Sequence, residues 1–154
     1  MGRGGGTVTA DVKIKKLSEK AVIPTYGSEY SAGADLYACT DGEISIKPHE
    51  TYLVPTGVAV ELPVGYAGLI YARSGLASKK GLAPANKVGV VDCDYRGEIK
   101  VALHNHSNEV QSISSGERIA QFVITPYLTA RFQECETLSE TVRGAGGFGS
   151  TGSK

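Results

Sequence analysis

A carboxylate fixed at a strand end beside a tight turn can take a proton from water, and Asp92 has that setting. It lies in NKVGVVDCDYRGEI, residues 86–99. There Val88, Val90 and Val91 predict a strand, and Asp94-Tyr95-Arg96-Gly97 has the chemistry of a hairpin turn. The same letters suit Asp92 and Asp94 as turn formers. In YARSGLASKKG, residues 71–81, Arg73 and Ser74 precede Gly75 at the end of a strand. With a helix starting near Ser74, a guanidinium, a hydroxyl and free backbone N–H groups come together, a set suited to phosphate. Asp35 interrupts the small, apolar run SAGADLYA, residues 31–38. An acidic group in such a run needs a partner, unless it caps local N–H groups in a turn. In SGERIAQFVI, residues 115–124, Arg118 and Gln121 flank Ile119 and Ala120 as a strand begins, and Gln121 can reach a phosphate or a base.

The chain ends on RGAGGFGSTGSK, residues 143–154, in which Gly144, Gly146 and Gly149 fit G-x-G-x-x-G. The dinucleotide fingerprint requires a helix immediately afterwards. The stretch beyond Gly149 is too short for one and contains Gly152. The P-loop pattern fails as well, because Ser150 stands where its lysine belongs. A flexible glycine tail accounts for the composition, but not for Arg143, Phe148, Ser150 and Thr151. These can pair with phosphate, stack on a ring and donate hydrogen bonds, while bare glycine N–H groups approach an anion closely.

Short strands must position these residues. Period-two alternation predicts strands in VTADVKIKKL, EISIKP, GYAGLIYAR, NKVGVVDCD, GEIKVALHNH, RIAQFVITP and LTARFQEC. In TYLVPTGVAVELP it predicts one strand through Tyr52 and Val54 and another through Val58 and Val60. The one helical candidate spans Gly75 to Lys80. Many short strands with regular turns predict an antiparallel sandwich, jelly roll or barrel. His104 and His106 share one face of a strand and read as a surface pair, since a metal would need a third ligand.

The 154 residues suit one domain, and 16 basic against 16 acidic residues give no general attraction to nucleic acid or membrane. There is no apolar run of membrane-span length and no signal-peptide core. The three cysteines, Cys39, Cys93 and Cys135, are odd in number and unpatterned. That predicts a reducing, intracellular setting, the cytoplasm first. The glycine-rich start, within residues 1–11, is expected to be flexible.

Taken in order and spacing, residues 31–38, 71–78, 86–97, 115–121 and 143–152 resemble the motifs of the trimeric dUTP diphosphatase (dUTPase) family. The resemblance covers the chain from about Val12 onward. It implies a distorted β jelly roll over residues 12–135, in a homotrimer with active sites between subunits. It also implies a mobile arm, residues 136–154, exchanged over a neighbouring site. By resemblance Asp92 activates the water that attacks the α-phosphorus of dUTP, giving dUMP and pyrophosphate. That reaction limits uracil in DNA and supplies dUMP for thymidylate synthesis. Tyr95 then packs under the deoxyribose and excludes a 2′-hydroxyl, and Asn86 helps read the uracil. Arg73, Ser74, Gly75 and Gln121 match phosphate-contacting positions. Phe148 stacks over the base, and Arg143, Ser150 and the N–H groups around Gly149 meet the γ-phosphate. Asp35 supports, through water, a magnesium ion held mainly by the phosphates. Partners outside the trimer, nucleic acid and membrane are not implied.

Other classes share this grip. The related dCTP deaminases do, but the Asp92 to Gly97 stretch and the Phe148 arm look like the hydrolase version. A dUTP-binding switch protein would need no intact Asp92 and Tyr95.

Overall fold

The computed structural model describes residues 8–148. Among these residues, eleven strands and one short helix succeed one another. They are β1 (Lys13–Lys16), β2 (Thr25–Tyr26), β3 (Ala34–Tyr37), β4 (Ile44–Ile46), β5 (Thr51–Glu61), β6 (Tyr66–Tyr71), α1 (Ser74–Lys80), β7 (Leu82–Pro84), β8 (Gly89–Val91), β9 (Glu98–Asn105), β10 (Gln111–Ile113) and β11 (Arg118–Pro126). They form a four-stranded sheet β1-β5-β9-β7, a five-stranded sheet β2-β3-β11-β6-β8 and the pair β10-β4. Every strand pairing is antiparallel. The all-β expectation holds.

One buried cluster joins the sheets. Val54, Val58, Val101 and Leu103 enter it from the four-stranded sheet, Leu36, Ile70, Val91, Ile119 and Phe122 from the five-stranded sheet, and Ile46 and Ile113 from the pair. Alternation explains the contribution of β9, where Ile99, Val101, Leu103 and Asn105 point inward while Lys100 stays exposed. Asn105 is wholly buried yet fully engaged. Its amide donates to the carbonyls of Ile46 and Glu109, and its Oδ1 accepts from the N–H and hydroxyl of Ser107. A buried amide paired in this way fixes the route of the chain between β9 and β10 rather than weakening the core.

Two strand expectations need correction. Residues 51–61 are one strand, not two. The pairing of β5 with β9 shifts between Pro55 and Ala59, and Gly57 takes φ 69° within the irregularity. A Cβ at Gly57 would come within 2.8 Å of Ala21 Cβ and Cys39 Sγ, so only glycine lets the strand pass there. LTARFQEC is not a strand. Its alternation has no partner strand, and Leu128 and Phe132 are 98% and 95% exposed.

The helix begins one residue before its expected start and runs Ser74–Lys80. It ends on Gly81 in the left-handed region, φ 65°, whose N–H returns to Ala77 and Leu76. Lys79 and Lys80 lie in its last turn, where cations suit the helix dipole. Among the described residues, no helix is long and apolar enough to cross a membrane.

Candidate active site

β11 lies between β3 and β6, and its register sets Gln121 opposite both Asp35 and Tyr71. That single fact gathers one half of the expected site. Asp35 is 8% exposed, and its charge is met by two guanidiniums. Arg73 Nε donates to Oδ1 at 2.8 Å, and Arg118 Nη1 to Oδ2 at 3.5 Å. Gln121 Nε2 donates to the carbonyl of Ala72 at 3.1 Å, bracing the chain just where it delivers Arg73 and Ser74 to α1. A cleft of about 460 Å³ opens beside this cluster, lined by Arg73, Gly75, Leu76, Lys79 and Arg118 among others. Lys80 and Glu117 also line it and pair with one another at 3.3 Å, and Glu117 holds the N–H of Ser114. The charge balance of the cleft favours an anion.

The other half is built by β8, the turn after it and β9. Asp92 leaves β8 exposed, and among the described residues its carboxylate makes no hydrogen bond or ion pair. The turn is held by its backbone, with the N–H of Tyr95 on the carbonyl of Asp92 at 3.1 Å. Arg96 Nη1 donates to the carbonyls of Cys93 and Tyr95. The Tyr95 hydroxyl returns to the carbonyl of Glu98 at 2.9 Å, laying the ring across Gly97. A Cβ at Gly97 would lie 2.4 Å from that hydroxyl and 2.6 Å from the ring carbon that bears it. Asn86 comes from the loop before β8, where Lys87 has φ 65°. Asn86, Asp92 and Tyr95 line one cleft of about 330 Å³ with Ile70, Gly89 and Val90.

The structure therefore joins Asp35, Arg73, Ser74, Gly75 and Gln121 at one place and Asn86, Asp92 and Tyr95 at another. The two clefts share no lining residue. Arg143 and Phe148 join neither. Phe148 is fully exposed, Arg143 bonds the carbonyl of Gly146 in its own turn, and every residue from 126 to 145 is exposed. Gly149 and Ser150 lie outside the described residues.

Arg118 is the residue that sequence reasoning underrated. It was visible only as a flank of Gln121, and its tie to Asp35 exists only once β3 and β11 pair. His104 and His106 meet edge to face at 4.5 Å, and His104 Nδ1 is bonded to the Thr51 hydroxyl. Burial, then the neighbouring His104, Lys87 and His49, hold the His106 imidazole below its ordinary value. Among the described residues, no group of histidine, cysteine and carboxylate side chains is arranged to hold a metal.

The dUTPase family model matches residues 19–152. The deoxyuridine 5′-triphosphate nucleotidohydrolase of Nautilia profundicola is 53% identical over 141 residues, covering 92% of this chain and 98% of that protein. The enzyme of the same name from Syntrophotalea carbinolica is 48% identical over 144 residues, covering 94% and 98%. The dUTPase of Staphylococcus bacteriophage 80alpha, solved with dUPNHPP, superposes with a TM-score of 0.83 at 30% identity, covering 94% of this chain and all of that one. A dUTPase from phage phi11 of S. aureus, solved to show coordination of a structural Mg(II) ion, gives 0.73 at 26% identity, covering 82% and 97%. With that match across nearly its whole length, this chain belongs to the dUTPase family.

Proposed function

We propose that the chain hydrolyses dUTP to dUMP and pyrophosphate, with Asp92 as the general base. The observation that carries this reading is the turn from Asp92 to Gly97. It presents an uncommitted carboxylate beside a tyrosine ring and an asparagine amide in a single cleft. Asp92 takes a proton from water, the water oxygen bonds to the α-phosphorus, and the bond to the β-phosphate oxygen breaks in line. A positioned base of this kind contributes roughly 10²–10⁴ in rate. Tyr95, locked over Gly97, packs against the deoxyribose and leaves no room for a 2′-hydroxyl. Asn86 reads the uracil, and a wrong base would leave unpaired the polar groups that the bound nucleotide covers. Arg73, Ser74, Gly75 and Gln121 receive the triphosphate.

The donor set fits magnesium only as a companion of the substrate. Both oxygens of Asp35 already accept from guanidiniums, which leaves a contact through water rather than direct ligation. When bound to the triphosphate, magnesium neutralises its charge and orients the α-phosphate.

The assembly reading is a homotrimer. A site divided into clefts that share no residue is completed when the base-and-sugar half of one subunit faces the phosphate half of the next. The exposed segment after β11 carries Leu128, Phe132, Leu138 and Val142 with none of the described residues of its own chain over them, which suits an arm laid on a neighbour. Arg143, Phe148, Gly149 and Ser150 then close over the nucleotide, and ordering the arm costs conformational entropy that ligand contacts offset. The free thiols of Cys39, Cys93 and Cys135 suit a reducing, intracellular compartment.

The test is pyrophosphate release with magnesium, supplying dUTP, dCTP, dTTP and UTP separately and resolving the nucleotide products. dUTP alone should give dUMP. Conversion of dCTP would move the chain to the deaminase branch, and dUTP binding without turnover would make it a nucleotide-dependent switch.

A further inference from the structure

Cys93 is the next residue after the proposed base, and it is held from two sides. Its carbonyl accepts from Arg96 at 2.7 Å, and its sulfur lies 3.7 Å from the hydroxyl of Tyr127. Tyr127 is the first residue beyond β11, far from the turn in sequence. The sheet order β11-β6-β8 brings the two together across β6, because Pro126 pairs with Tyr66 and Val91 with Gly68. The backbone of Tyr127 is anchored too, its N–H on the carbonyl of Gly65 at 3.0 Å. The phenol therefore projects from a fixed point. The hydroxyl titrates above its ordinary value, first through its hydrogen bond to Cys93 and the charge of that thiol, then through burial and the carboxylates of Asp92 and Asp94. It stays protonated at neutral pH and can serve as donor or acceptor to the sulfur.

We propose that Tyr127 is a positioning residue for the hydrolysis: its hydroxyl, reaching from the end of β11 to the Cys93 thiol, holds the turn that aims the Asp92 carboxylate. The role rests on Asp92 being the base. Asp92 itself is unbonded among the described residues, so its aim depends on the backbone of the turn. Arg96 fixes one side of that backbone from within the turn. Tyr127 supplies a fixed contact from outside it. Tyr127 lines neither of the two clefts, so removing its hydroxyl should slow the chemical step and leave substrate binding alone.

The experiment compares wild type, Tyr127→Phe, Cys93→Ala and the double variant in steady-state dUTP hydrolysis with magnesium, after melting curves establish that each is folded. Each single variant should lose roughly 3–10-fold in kcat, below the ~10² that a misplacement of about 1 Å can cost. KM should hold within about twofold. Because both changes break one contact, the double variant should lose no more than either single one. Wild-type kcat in either folded single variant overturns the role, as do losses that multiply in the double variant or that fall on KM alone. If Tyr127→Phe does not fold, Cys93→Ala decides by its kcat. A wild type inert toward dUTP would overturn the hydrolase reading itself, whereas a working wild type with unaffected variants overturns only the positioning role.

Discussion

Arg73 donates through Nε to the Asp35 carboxylate at 2.8 Å, with the aspartate side chain about a tenth exposed and the arginine about a quarter. The pair gives each residue a different job from the one its neighbourhood in sequence suggests. Asp35 does not face the cleft as a free ligand, since both its oxygens accept from guanidiniums; on the proposed reading it sets the angle at which Arg73, and more weakly Arg118, would present to an incoming phosphate. Asp35→Asn keeps the shape and removes the charge. A hydrogen bond to a charged group contributes about 1.5–3 kcal/mol, so a stability loss of about 1–3 kcal/mol is expected in urea unfolding. The loosened guanidiniums should raise KM for dUTP by roughly tenfold, equivalent to about 1.4 kcal/mol. Unchanged stability and KM would mean that the ion pair is incidental.

Asp92 differs from Asp35 in being exposed and uncommitted. Replacing it with asparagine disturbs no contact made by its side chain among the described residues. Asp92→Asn should therefore melt as wild type does and bind a non-hydrolysable dUTP analogue with similar affinity, while kcat falls by roughly 10²–10⁴. Calorimetric binding alongside single-turnover kinetics separates the two effects. Turnover equal to wild type would remove Asp92 from the mechanism.

Gly97 is small because Tyr95 lies across it. In Gly97→Ala the added methyl would meet the tyrosine hydroxyl and ring at 2.4–2.9 Å, so the ring must move. Overpacking of this sort costs about 1–3 kcal/mol. The functional signature should be sharper than the stability loss, because the displaced ring no longer guards the sugar. The ratio of kcat/KM for dUTP over UTP should fall. If the ratio holds while activity drops, Tyr95 does not set sugar selectivity.

How far the sequence could reveal these features depended on how local their cause is. A turn after β8 rests on the conformational habits of a few adjacent residues, so it was readable, but it closes at Asp92 to Tyr95 rather than Asp94 to Gly97, and it is no hairpin, because β8 and β9 belong to different sheets. Arg73 and Arg118 lie 38 and 83 residues from Asp35, and no local pattern announces a pairing made by strand register. The split expected between Val54 and Val58 falls at an irregularity inside one continuous strand, where the freedom of Gly57 admits Ala21 and Cys39 alongside. LTARFQEC has strand-like alternation without a strand partner. Most candidate site residues stood out by residue type and setting and took their expected roles from the family resemblance, while their division between separate clefts became visible only in three dimensions.

That division bears on the segment after β11. Its apolar residues are uncovered in the single chain, and the turn at Arg143 is closed on itself by the bond to Gly146. Deleting residues 143–154 removes no residue of the buried cluster, so the melting temperature without nucleotide should change little. The proposed closing groups go with it, and dUTP hydrolysis should fall by roughly 10² or more, in line with the loss of a lid that completes a site and excludes water. Light scattering should show the same oligomer before and after truncation, because Leu128, Phe132, Leu138 and Val142 remain. A truncated protein that hydrolyses dUTP at the full rate would make the glycine-rich end a tail. One that dissociates would place the trimer contact in the last residues rather than in the segment before them.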